Sequence, residues 1–201
     1  MVNVRQVKTQ SEMEEVYRMT HDTFVEKELC DEQGDQSLKN NLKLDQHPDT
    51  QVFIALIDGE IRGTISLSKH KKMEEIYNFS FIKKLLIPHF EANLPAFSGW
   101  RLATRGTRME RYLLTVKLLL HGHKSIQLLG GEQTFFCFIP TQLKAYKDFF
   151  PSGKILGEVF KKTEIISSKL VLMKVKLNER SYDHLFRIYE RLLKRYLPKK
   201  G

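Results

Sequence analysis

The sequence predicts an α/β chain of the α+β kind: a mixed, mostly antiparallel sheet flanked by helices and followed by a C-terminal helix. Three observations predict it. QVFIALIDGEIRGTISLSKH (residues 51–70) reads as a hairpin, two β-rich runs joined by Asp58-Gly59, a dipeptide that supplies the positive φ angles of a tight turn. FSGWRLATRGTRMERYLL (97–114) passes from a strand into a helix within a few residues, and TFFCFIP (134–140) returns as a buried strand stopped by Pro140. The last stretch, 179–201, is a helix with Leu185, Ile188, Leu192 and Tyr196 on one face and Arg187, Arg191, Lys194 and Arg195 nearby. An antiparallel start followed by a strand-helix-strand unit puts helices on the faces of a mixed sheet.

The remaining elements follow in order. MVNVRQVKT alternates imperfectly at Val2, Val4 and Val7 and predicts a first strand. Thr9 or Ser11 then caps a helix, with Glu14 as the capping-box partner of Ser11, and Met13, Val16, Tyr17, Thr20 and Phe24 continue at helical spacing to an end near Leu29. The polar stretch 30–50 reads as a loop with a short helix around Leu38 to Leu44. KKMEEIYNFSFIKKLLI (71–87) reads as a helix ending before Pro88, WRLAT (100–104) as a short strand, and 107–129 as a long helix in which Gly122 is a candidate break. TQLKAYKDFF (141–150) is a short helix capped by Thr141, and KILGEVF (154–160) and SSKLVLMKVKL (167–177) are two more strands. Length and composition fit one domain over residues 1–178, with 179–201 an amphipathic basic helix packed on it.

The net charge of +9 is divided unevenly, −4 over residues 1–98 and +13 over 99–201. The second half is therefore suited to something acidic: nucleic acid, anionic lipid, a phosphorylated cofactor or an acidic protein. Cys30 and Cys137 show neither CxxC nor metal-ligand spacing, which fits a reduced protein. With no signal-peptide core and no apolar run long enough for a bilayer, a cytoplasmic location is expected.

Arg101, Arg105, Arg108 and Arg111 crowd the strand-to-helix junction around Gly106. A helix that opens from a strand presents free backbone N–H groups, a ready place for phosphate, and guanidiniums add bidentate hydrogen bonds. Gly106 lets a ligand approach the backbone without a Cβ in the way. The competing reading is a solvated helix face in which these arginines meet Glu110.

The TRGTRM junction and the FIPTQLKAYKDFF strand-helix pair resemble the GNAT N-acyltransferase superfamily, although its Q/R-x-x-G-x-G/A motif is reduced here to Arg101–Gly106 with one glycine. Within it, YRMTHDTFVEKEL, the acidic loop, TQVFIALIDGEIRGTISL and WRLATRG resemble the acyl-homoserine-lactone synthases and long-chain N-acyl amino acid synthases, over about residues 12 to 160. Phe24 matches the helix aromatic of that branch, Gly63 and Thr64 its hairpin, and Arg101 the arginine of its "S-R-L". Thr20, Ser66 and Ser98 stand where the branch carries charged residues, which speaks against a homoserine-lactone product.

The resemblance implies transfer of an acyl group from acyl-CoA or an acyl-phosphopantetheine on acyl carrier protein to a small amine, with no metal. Leu102, Ala103, Arg105, Gly106, Thr107 and Arg108 are then expected to hold the donor, Phe24, Trp100 and Arg101 the acceptor, and Tyr146 to protonate the departing thiolate. For the base, Asp45 and His47 are favoured among His21, Asp45, His47 and Asp49, although polar residues before a strand are commonly turn formers. His121 and His123 lack partners for a metal site. Lys117, Lys124, Lys144 and Lys147 are the candidate docking residues for an acidic carrier. Two other readings remain open: an ordinary acetyl-CoA-dependent N-acetyltransferase, and a non-catalytic nucleic-acid- or membrane-binding protein on the same fold. The last helix, with Tyr182, Phe186, Tyr189 and Tyr196, is not expected to bind nucleic acid, because most of its aromatics follow the buried face, but it suits peripheral contact with anionic lipid.

Overall fold

The computed structural model describes residues 2–39, 42–72, 88, 94–162 and 167–196. In chain order these form β1 (Asn3–Gln6), α1 (Gln10–Glu26), α2 (Leu42–Asp45), β2 (Thr50–Ile57), β3 (Glu60–His70), β4 (Ala96–Thr104), α3 (Arg108–Leu128), β5 (Gln133–Phe138), α4 (Leu143–Phe149), β6 (Lys154–Lys162), β7 (Ser167–Lys176) and α5 (Glu179–Tyr196). The helix expected over 71–87 falls outside the described residues from position 73 on.

The strands make one sheet in the order β1-β2-β3-β4-β5-β7-β6, antiparallel throughout except for the parallel pair β4–β5. A parallel neighbour needs a crossover, and α3 supplies it. It runs unbroken through Gly122, so the glycine is no break; an added Cβ there would meet Leu67 of β3 at 3.4 Å, an ordinary contact. His123 of α3 meets Ser181 at the start of α5, and Glu110 meets Tyr196 at its end, so the two helices run antiparallel. Leu185, Ile188, Tyr189 and Leu192 of α5 are buried in the main core with Leu113, Val116 and Leu120 of α3. Each buried leucine or isoleucine contributes about 2 kcal/mol. On the same helix Phe186 stays 42% exposed, stacked on Tyr182.

Local chemistry explains where elements begin. Thr9, not Ser11, caps α1: its side chain accepts the Glu12 N–H at 3.2 Å. Glu12 in turn accepts the Lys8 N–H and binds Arg5, which together hold its carboxyl down at about 2. Thr141 does not cap α4. Pro140 opens a 3₁₀ turn, Pro140–Gln142, and Gln142 precedes the α-helix without a side-chain cap. β4 starts four residues before the expected WRLAT, because Ala96 and Phe97 already pair with His70 and Lys69 of β3.

The two faces of the sheet differ. The face under α3 and α5 is apolar, with Phe97, Phe136 and Met173 among its residues. On the α1 side, Val16, Val52 and Ile54 form only a small cluster. The β3–β4 pair also buries Ser66, Ser68, His70, Ser98 and Arg101, a polar set with its own hydrogen bonds.

Candidate active site between two splayed strands

The β4–β5 ladder is short: Phe97, Ser98 and Gly99 pair with Thr134, Phe135 and Phe136. A Cβ on Gly99 would lie 2.4 Å from the Phe136 ring, so this rung depends on glycine. Past it β4 continues along β3 alone to Thr104, and the two strands diverge. The β3–β4 register also shifts between Thr64 and Ser66, which pair with Ala103 and Trp100. Two residues, Arg101 and Leu102, thus oppose Ile65, a β-bulge with Arg101 at φ +52°.

The bulge re-aims Arg101. Its guanidinium is fully buried and donates to both Asp45 oxygens at 2.7 Å, lying 4.4 Å from the Trp100 ring and 5.2 Å from the Tyr17 ring. The Tyr17 hydroxyl donates to the same carboxylate, and burial with that carboxylate beside it pushes the phenol up to about 12. Arg101 and Asp45 therefore serve each other, and neither is presented to an acceptor carboxylate or an ammonium. Trp100 donates its indole N–H to Ser68. His47 is committed as well: its Nδ1 accepts the Asp49 N–H. His21 likewise accepts the Gln33 N–H on Nε2. Phe24 is half-buried on α1.

At the junction, Arg105 turns away from the expected phosphate position. Its Nε donates to the Ile61 carbonyl and its Nη2 to Glu15 at 2.5 Å. Gly106, at φ +117°, makes the corner, and Thr107 caps α3 in a full capping box with Glu110. Arg108 is exposed and has no ion-pair partner among the described residues.

Beyond the splay lies a cleft of about 420 Å³. Leu102 and Thr104 of β4 form one wall, and Ala145, Tyr146 and Phe149 of α4 the other. Ala103 is buried and does not line it; Thr104 takes the place expected for it. Lys27, Arg108 and Arg111 bring three cations to the cleft, with Glu26 bound to Arg111 at 2.7 Å. Burial, and Arg111 beside it, lower the Lys27 amine. Tyr146 stacks on Phe138 with ring centroids 3.9 Å apart, and burial pushes its hydroxyl far up, so the phenol stays protonated at neutral pH. Sequence reasoning missed Lys27 and Thr104; the first lies just past α1, 78 positions before Arg105, where no local motif marks it.

The basic surface lies partly elsewhere than expected. Lys147 donates to the Gly153 carbonyl and Lys117 sits 4.7 Å over the Tyr189 ring, so both have internal contacts. Lys154, Lys174, Lys176 and Arg180 line a separate groove of about 640 Å³ at the foot of α5. Among the described residues no helix is long and apolar enough to cross a membrane, and no group of three His, Cys, Asp or Glu is placed to hold a metal ion.

This architecture, a mostly antiparallel sheet splayed at one parallel pair, is the fold of the GNAT N-acyltransferases. The structure of FeeM, an N-acyl amino acid synthase from uncultured soil microbes, superposes with a TM-score of 0.72 at 10% identity, covering 89% of this chain and 92% of that one. The acyl-homoserine lactone synthase BjaI, described as CoA-dependent and solved with MTA, gives 0.63 at 16% identity, over 96% and 90%. Aminoglycoside 6'-acetyltransferase type Ii gives 0.58 at 12% identity, over 89% and 99%. No protein-family model matches the chain, and no curated protein matches its sequence.

Proposed function

We propose that the chain is an N-acyltransferase that moves an acyl group from a pantetheine thioester to a small amine. The observation that carries this reading is the cleft itself: strands that part after one glycine-dependent rung, apolar Leu102 and Phe149 on opposite walls, a protonated buried phenol and three cations on one opening. The likeness in fold to FeeM and the lactone synthases supports it.

The chemistry follows from these parts. The amine nitrogen attacks the thioester carbonyl carbon, and the oxygen gains negative charge. In this reading the backbone N–H groups of β4 beyond Gly99, where pairing with β5 stops, receive that charge. As the C–S bond breaks, the thiolate takes the Tyr146 proton. Asp45 and His47 are occupied, so the amine gives its proton to solvent rather than to either of them. Lys27, Arg108 and Arg111 meet the donor's phosphate.

Amine-dependent thiol release from acetyl- and palmitoyl-CoA and from palmitoyl-acyl carrier protein, with products identified by mass, tests the reading. Turnover should fall about tenfold or more in Arg108→Ala, which loses a charge-assisted contact, and change little in Arg105→Ala. Thiol release from none of these donors in the presence of an amino acid and polyamine pool would refute it.

A further inference from the structure

The corner where α3 begins is already occupied by one of the protein's own carboxylates. Glu110 Oε2 accepts the Thr107 N–H at 2.9 Å and lies 2.8 Å from where a Cβ on Gly106 would stand. The other oxygen, Oε1, accepts the Tyr196 hydroxyl at 3.1 Å from the far end of α5. A capping box accounts for the first contact alone; the second fixes the carboxylate from another element. The Thr107 hydrogen bond, chiefly, with Tyr196 and nearby Arg62 assisting, holds Glu110 below the usual glutamate range, so it is ionised at neutral pH. Arg105, which would have neutralised a second anion here, is turned to Glu15. The cations of the site, Lys27, Arg108 and Arg111, gather instead on the 420 Å³ cleft, where Glu26 already binds Arg111 and leaves Lys27 and Arg108 in excess.

Resting on the acyltransferase reading, we propose that Glu110 determines donor specificity: it keeps the diphosphate of coenzyme A off the α3 N-terminus, and the site selects a thioester on a singly phosphorylated pantetheine arm, the form carried by a protein. One phosphate suffices for Lys27, Arg108 and Arg111. A second phosphate in the corner meets a carboxylate of like charge, and at an effective dielectric near that of a protein surface such repulsion weakens binding roughly tenfold or more. Tyr196 makes the selection depend on the end of α5.

Calorimetry with free 4'-phosphopantetheine and free coenzyme A tests this without turnover. The wild type should bind coenzyme A no more tightly than phosphopantetheine, within about threefold. Glu110→Gln, which keeps the capping box because glutamine serves at that position, should gain roughly tenfold for coenzyme A and little for phosphopantetheine. Tyr196→Phe, which leaves the cap untouched, should show a smaller gain in the same direction. Binding of both compounds with the same affinity ratio in all three proteins would overturn the proposal and leave the acyltransferase reading standing. A tenfold preference of the wild type for coenzyme A would also overturn it. Binding of neither compound by any of the three would refute the acyltransferase reading and this proposal with it.

Discussion

Replacing Asp45 with asparagine should destabilise the protein severely while leaving the chemical step intact. Arg101 is fully buried and Asp45 nearly so, and the pair is bidentate at 2.7 Å. Removing one charge strands the other in a site screened by Trp100 and Tyr17, which costs about 3–5 kcal/mol. For a chain of 201 residues this corresponds to a fall in Tm of roughly 10 °C or more. Urea and thermal unfolding followed by circular dichroism would measure it. The double variant Asp45→Leu with Arg101→Met should recover part of the loss, because a buried pair replaced as a unit leaves no orphan charge. A loss below about 1 kcal/mol, with turnover abolished at a temperature where the protein is folded, would return Asp45 to a role as base and refute the argument.

Four further outcomes follow from the geometry. Tyr146→Phe keeps the stack on Phe138 and should retain thermal stability while kcat falls about 10²-fold or more. Because burial raises the Tyr146 pKa, wild-type kcat/KM should climb with pH as the amine loses its proton and show no fall near the ordinary phenol value of 10.0; a descending limb there would contradict the assignment. Gly99→Ala drives a methyl into the Phe136 ring and should cost about 1–3 kcal/mol in urea unfolding, with a change in the cleft visible as altered KM; unchanged stability would show that the rung tolerates a side chain. Glu12 has a folded pKa near 2, below its ordinary 4.5, so its stabilisation is present above about pH 4.5 and lost as pH falls through 2. Glu12→Gln should therefore unfold at lower urea than wild type at pH 6 and approach it at the acid end, and a deficit independent of pH would count against the pairing with Arg5.

Much of the fold was legible because its signals are local. Asp58-Gly59 marks the β2–β3 hairpin, Pro140 ends β5, and the apolar spacing of α5 names the residues it buries. What was not legible is what depends on distant partners. The arginines at the junction carry the same charge in sequence, yet Arg101 turns inward through a bulge to an aspartate 56 positions away, Arg105 reaches Glu15, and Arg108 stays at the cleft. LDQHPD has the groups of a base but spends them on Arg101 and on its own turn. Glu110 reads as a helix-surface partner for arginines, and only α5 folding back along α3 shows it held in the corner.

The central claim is that the cleft beyond the β4–β5 splay holds the thioester. Photoaffinity labelling with a diazirine-bearing acyl-pantetheine, followed by peptide mapping, tests it most directly. Labels on Leu102, Thr104, Ala145, Tyr146 or Phe149, displaced by unlabelled acyl donor, are the expected result. Saturable labelling confined to the groove of Lys154, Lys174 and Lys176, or no displaceable labelling at all, would contradict it.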